Sequence, residues 1–223
     1  MKKRKVLLIV LAAVLAVIIL IPAVALIVLQ VRTNAILDDI SGVFENEKYK
    51  TPVSVEGVTV IKQDVSCGYA VIEMFAKWQG EAITEKTLYD EYGKVVTSTG
   101  NAFCEEMNKR VPQYTTTARK YLKNRELIDL VYDNLASGIP VPFEWAAQFE
   151  GEWTLHYSLV VGMDIPHDRV TVANPYGYME ELSVRVFLNR TSFEAYESMP
   201  FFLKLGFAFG VFEKNTVFTV EKN

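Results

Sequence analysis

The run VLLIVLAAVLAVIILIPAVALIVL, Val6 to Leu29, constrains this chain more than any other feature. It holds no charged or strongly polar side chain, and as a helix rising about 1.5 Å per residue it reaches roughly 36 Å, enough to cross a bilayer. Pro22 fits this reading, because bent helices are common in membranes. Lys2, Lys3, Arg4 and Lys5 precede the run, whereas the stretch just after it offers only Arg32 against Asp38 and Asp39. The positive-inside rule then predicts a cytoplasmic N-terminus and an extracytoplasmic remainder. A cleaved signal peptide is the alternative, with Ala23 and Ala25 as an A-x-A-like site. An h-region of about 7 to 15 residues is ordinary, so a retained anchor is expected. No cysteine adjoins the segment, so no lipoprotein anchor is expected.

The organisation predicted is a basic stub and membrane helix over 1–30, a helical or loose stalk over 31–52, and one domain over 53–223. That length supports a sizeable single core. The chain carries 23 cations and 27 anions, and since four cations precede the apolar run, the part beyond it has a net charge of −8. Nucleic acid is therefore not expected as a partner. Two cysteines, Cys67 and Cys104, are too few for a disulfide framework.

Within the domain, VEGVTVIKQ alternates as a strand does, and CGYAVIEMFAKWQG repeats apolar residues at helical spacing, with Ala70, Met74 and Trp78 on one face. TEKTLYDEYG, NAFCEEMNKR and the stretch around YLKNRELIDLVYDNLASG read as further helices. After Gly138 the pattern turns to short β runs, IPVPFEW, WTLHYSLVVGM, RVTVANP and YMEELSV, with SVRVFLNR returning to helix and NTVFTVEK a last strand. The fold class expected is α+β, a helical half followed by an antiparallel sheet with a cleft between them. The run FFLKLGFAFGVF, Phe201 to Phe212, is too short to span a bilayer and contains Lys204, so it reads as core.

Cys67 stands before Gly68 at the start of a predicted helix, where free backbone amides and the helix dipole favour a thiolate. It reads equally as a small buried residue or as a nucleophile. His156, in WTLHYSLVVG, is either a satisfied core histidine or a general base on a rigid strand. Asn174, before Pro175, serves turn chemistry or accepts from a histidine ring and fixes its tautomer.

Taken in order, IKQDVSCGYAVIEMFAKWQG, LHYSLVVGMD and VTVANPYG resemble the papain-like cysteine peptidases of the bacteriocin-processing, C-39-like kind, over about residues 53 to 195. The resemblance implies a papain-like fold, Cys67 as nucleophile, His156 as general base and acid, and Asn174 as orienter of the imidazole. Gln63 would help bind the oxyanion, although it stands four residues before Cys67 where the family more often leaves six, so the Cys67 amide could carry that role largely alone. Asn174 replaces the aspartate usual in bacteriocin-processing members, in the papain style. No transporter body follows, so export of a leader peptide is not implied. The function expected is a membrane-anchored peptidase acting on a peptide or protein substrate through an acyl-enzyme. The alternatives are a Cys-His amidase or acyl transferase, and an inactive peptide-binding module. No cofactor is implied.

Other residues receive plainer readings. Cys104 is expected as a buried free thiol and His167 as a turn residue, and Cys67, Cys104, His156 and His167 lack the paired spacings of a zinc site. Asn189-Arg190-Thr191 is a chance acceptor pattern, and the pairs Glu105/Glu106 and Glu180/Glu181 read as solvated faces.

Overall fold

A computed structural model describes residues 2–93 and 99–223. Helix α1, Lys2–Ile36, contains the whole apolar run, and Val6, Leu7, Ile19 and Ile27 are among the many large apolar side chains it exposes. A helix that is apolar on every side and exposed over most of its length, with Ala25 buried and Leu29 packed near its end, is suited to lipid. It continues beyond position 30, and Ile40, Val43 and Tyr49 then enter the main core, so the segment predicted as a stalk lies against the domain.

The sheet is antiparallel throughout. It is built from β1 (Val53–Ser54), β2 (Tyr114–Arg119), β3 (Val141–Phe149), β4 (Glu152–Asp164), β5 (Arg169–Asn174), β6 (Tyr178–Leu182) and β7 (Val217–Lys222). The order is β2-β7-β3-β4-β5-β6, with β1 added to β4. Strand β2 lies inside the half expected to be helical. Of VEGVTVIKQ only the residues just before it form a ladder, and the segment runs on as extended chain tied by Val55 N–H to Val161 and Gln63 N–H to Pro175.

The helices follow the predicted punctuation. Helix α2 spans Cys67–Trp78, and Gly80 behind it takes a φ of 84° that suits glycine. Helix α3, Glu85–Tyr92, is capped by Thr84, which accepts from the Thr87 amide; α4 (Gly100–Arg110) is capped likewise by Thr99. Helices α5 (Asn124–Ala136), α6 (Val184–Thr191) and α7 (Phe201–Ala208) complete the set.

Alternation along the strands divides the core in two. Tyr157, Leu159 and Val161 of β4 pack with Tyr69, Met74 and Phe75 of α2, whereas Val160 joins Leu127, Val131 and Phe187 of α5 and α6. Strand β5 pairs with β4 only as far as Ala173 opposite Leu159. That leaves the β4 edge at His156 and Tyr157 open toward the N-terminus of α2.

Candidate active site

Cys67 is the first residue of α2, so its own amide has no acceptor within the helix. Its sulfur lies against the backbone amides of Tyr157, Gly68 and Cys67, all of which pull its pKa down, but burial outweighs them and pushes the thiol up. Burial of the sulfur therefore opposes the thiolate that the helix dipole favours. The tertiary fold desolvates the sulfur more than the helix start stabilises its anion.

His156 is buried at 3% exposure, and its Nε2 lies 3.1 Å from Asn174 Oδ1. The same Oδ1 accepts from the Tyr176 amide at 3.0 Å, while Asn174 Nδ2 donates to Glu180 Oε2 at 2.8 Å. A donor on one side and a carboxylate on the other fix which way the Asn174 amide points. Nε2 must then carry the imidazole proton, leaving Nδ1 as the basic nitrogen. Burial lowers the His156 pKa to about 4 despite the Asn174 bond. Tyr176 stacks on the imidazole with ring centres 4.2 Å apart.

Glu180 was expected on a solvated face. It is instead mostly covered, because Arg190 pairs with its other oxygen at 2.8 Å while lying over the rings of Trp145 and Trp153. Glu106 departs from the same expectation: it is buried at 5% exposure and bonded to Arg110. Cys104 is a buried free thiol, pushed up to about 12 by burial, and His167 sits in the turn after β4, bonded to Asp164.

Gln63 is brought beside Pro175 by its backbone bond, and its side-chain Oε1 is buried without a partner. Together with Lys62, Phe149, Pro175 and Tyr176 it lines a cavity of about 280 Å³. The backbone leading into Cys67 is held by Glu85, a residue the sequence reading passed over. Its carboxylate accepts from the amides of Asp64 at 2.8 Å, Val65 at 2.8 Å and Ser66 at 2.5 Å. The Glu85 amide in turn donates to Glu73 of α2 at 2.7 Å. In the sequence Glu85 is only an acid in a first helical turn, which reads as dipole compensation.

A cysteine opening a helix against an antiparallel sheet, with a histidine and an asparagine on adjoining strands, is the layout of a papain-like cysteine peptidase. The chain belongs to the Peptidase_C39 like family, which matches residues 55–200, and it is a cysteine peptidase of that kind. Among solved structures, a double glycine motif protease from an AMS/PCAT transporter, in complex with the leader peptide, is 12% identical. That alignment covers 77% of this chain and 98% of that one at a TM-score of 0.49. No curated protein matches the chain.

Proposed function

We propose that this cysteine peptidase is anchored by α1 with its domain on the extracytoplasmic side, and that it hydrolyses peptide bonds through an acyl-enzyme on Cys67. The observation that carries the reading is the oriented chain Glu180–Asn174–His156, ending beside the strand amide that meets the Cys67 sulfur. A neutral imidazole with Nδ1 basic is the form needed to accept a thiol proton.

In this mechanism Sγ of Cys67 attacks the scissile carbonyl carbon as its proton passes to Nδ1 of His156. The carbonyl oxygen gains the negative charge, and the Cys67 amide, with the Gln63 side chain, donates to it. Collapse breaks the C–N bond while His156 returns the proton to the departing amine. Water then attacks the thioester, His156 takes its proton, and the C–S bond breaks to release the acid and restore the thiol. Asn174 touches only the imidazole and positions it.

The anchor rests on the length and apolar exposure of α1, and its orientation on the four cations of residues 2–5. Full-length protein in detergent should cleave members of an unbiased peptide library, read by mass spectrometry, and Cys67→Ala should cleave none. A protein that reacts at Cys67 with a thiol-directed electrophile yet cuts no peptide would overturn the peptidase assignment.

A further inference from the structure

Helix α7 and the turn after it have two faces. Inward, Phe207 is buried with Ala146, Phe193 and Met199, and the Phe212 ring folds back onto α7 where Gly206 lacks a side chain: a Cβ there would stand 2.6 Å from it. Outward, Phe201, Phe202, Phe209 and Val211 are 54%, 69%, 60% and 55% exposed. Four large apolar side chains on one short element are more than scattered surface hydrophobes require.

Their position relative to α1 says what covers them. Leu29, at the end of the apolar run, packs against the cluster containing Phe207 and is joined there by Leu203 and Phe212. Arg32 Nη1 donates to the Tyr121 hydroxyl at 3.1 Å, and Gly210 lies alongside both. Whatever depth Leu29 and Arg32 occupy, α7 occupies nearly the same depth. If α1 crosses the bilayer, that depth is the boundary between hydrocarbon and headgroups. Ile27 and Val31 of α1 are exposed like Phe202 and Phe209.

We propose that α7 and the turn through Val211 lie in the headgroup layer of the same bilayer, holding the catalytic domain flush against the membrane surface instead of letting it swing on a tether. This rests on the reading of α1 as a membrane helix. Aromatic side chains favour that layer. The arrangement also fixes the height of the site, because Leu155, next to His156, packs in the cluster α7 caps. Peptides lying on the bilayer or emerging from it are then the substrate class within reach.

The test uses full-length protein in phosphatidylethanolamine/phosphatidylglycerol vesicles, with Cys67→Ala and Cys104→Ala removing the native thiols. A fluorophore is placed on Phe202→Cys or, as control, on Lys86→Cys of α3. The Phe202 label should be quenched by lipids carrying a shallow nitroxide and be several-fold less sensitive to aqueous iodide than the Lys86 label. Equal iodide sensitivity at both positions, with the chain resisting carbonate extraction, would overturn the docking and leave the anchor standing. A Phe202 label shielded from iodide and nitroxide alike would overturn it in favour of a protein covering such as a second copy. Extraction by carbonate would defeat the anchor, and the docking with it.

Discussion

The carboxylate of Glu85, at the start of α3, accepts the backbone amide of Ser66, the residue immediately before Cys67, at 2.5 Å. The amides of Val65 and Asp64 share the same carboxylate, so one side chain from another helix sets the path of the chain into the nucleophile. Three amides gathered on one carboxylate leave the loop few alternative conformations, and the reach of the Cys67 amide toward a reacting carbonyl depends on that path.

Glu85→Gln keeps the volume but turns an amide NH2 against a backbone donor. Hydrogen bonds to a charged group contribute about 1.5–3 kcal/mol each, so stability should fall by about that much. As a positioning residue for Cys67, it should also lower kcat about tenfold or more with KM little changed. Steady-state kinetics on a variant still folded at the assay temperature checks this. A kcat equal to that of the parent would reduce Glu85 to a structural anchor.

The two thiols should separate cleanly. A peptide-directed electrophile should label the full-length protein once, and Cys67→Ala should abolish the labelling while Cys104→Ala leaves it intact, since Cys104 is buried and its thiol is pushed up to about 12. Intact-mass spectrometry reads the outcome, and labelling that persists in Cys67→Ala would transfer the reactivity elsewhere.

Asn174→Ala should cost about 10²-fold or more in kcat, in the range typical of misaligned general-base catalysis. Glu180→Gln should cost less, because Tyr176 still donates to Asn174 Oδ1. The ordering Asn174→Ala below Glu180→Gln below parent is the point of the measurement. A Glu180→Gln variant slower than Asn174→Ala would break the proposed chain of support.

Two buried groups oppose each other in pH. His156 falls from an ordinary 6.5 to about 4, so the unfolded chain takes up a proton that the fold refuses, and stability declines as pH drops from 6.5 toward 4. Glu144 is raised from 4.5 to about 7, chiefly by burial, so the fold keeps a proton the unfolded chain has lost, and stability declines as pH rises from 4.5 toward 7. At about 1.36 kcal/mol per pH unit each effect is about 3 kcal/mol, and across pH 4.5 to 6.5 they largely cancel. Relative to the parent, His156→Gln should lose stability as pH rises through that window and Glu144→Gln should gain it. Thermal unfolding of the full chain across pH checks both, and two variants of the same slope would refute the opposition. Activity, which needs neutral His156, should persist down to about pH 4.

Much of the fold is legible locally. The threonine cap of α3, the glycine behind α2 and the β alternation after Gly138 are short-range signals, and each element formed where its signal stood. Strand β2 was missed because YTTTAR owes its conformation to β7, about a hundred residues away. The helix start at Cys67 and the strands carrying His156 and Asn174 were also legible from spacing, whereas their roles followed only from the family resemblance.

What the sequence determined by itself is the apolar helix and the family motifs, because length without charge and a fixed order of Cys, His and Asn need no partner to be recognised. Tertiary structure decided the rest. Glu180 and Glu85 look like surface acids until the β5–β6 hairpin sets Asn174 against one and the loop before Cys67 folds onto the other. The pKa of Cys67 is pushed up because burial outweighs the backbone amides around its sulfur. The run Phe201–Phe212 is half core and half exposed face, since packing on Ala146, Phe193, Met199 and Leu29 decides which side is covered. The deciding quantity is desolvation or a tertiary contact, which the hydrophobic pattern along the chain does not encode.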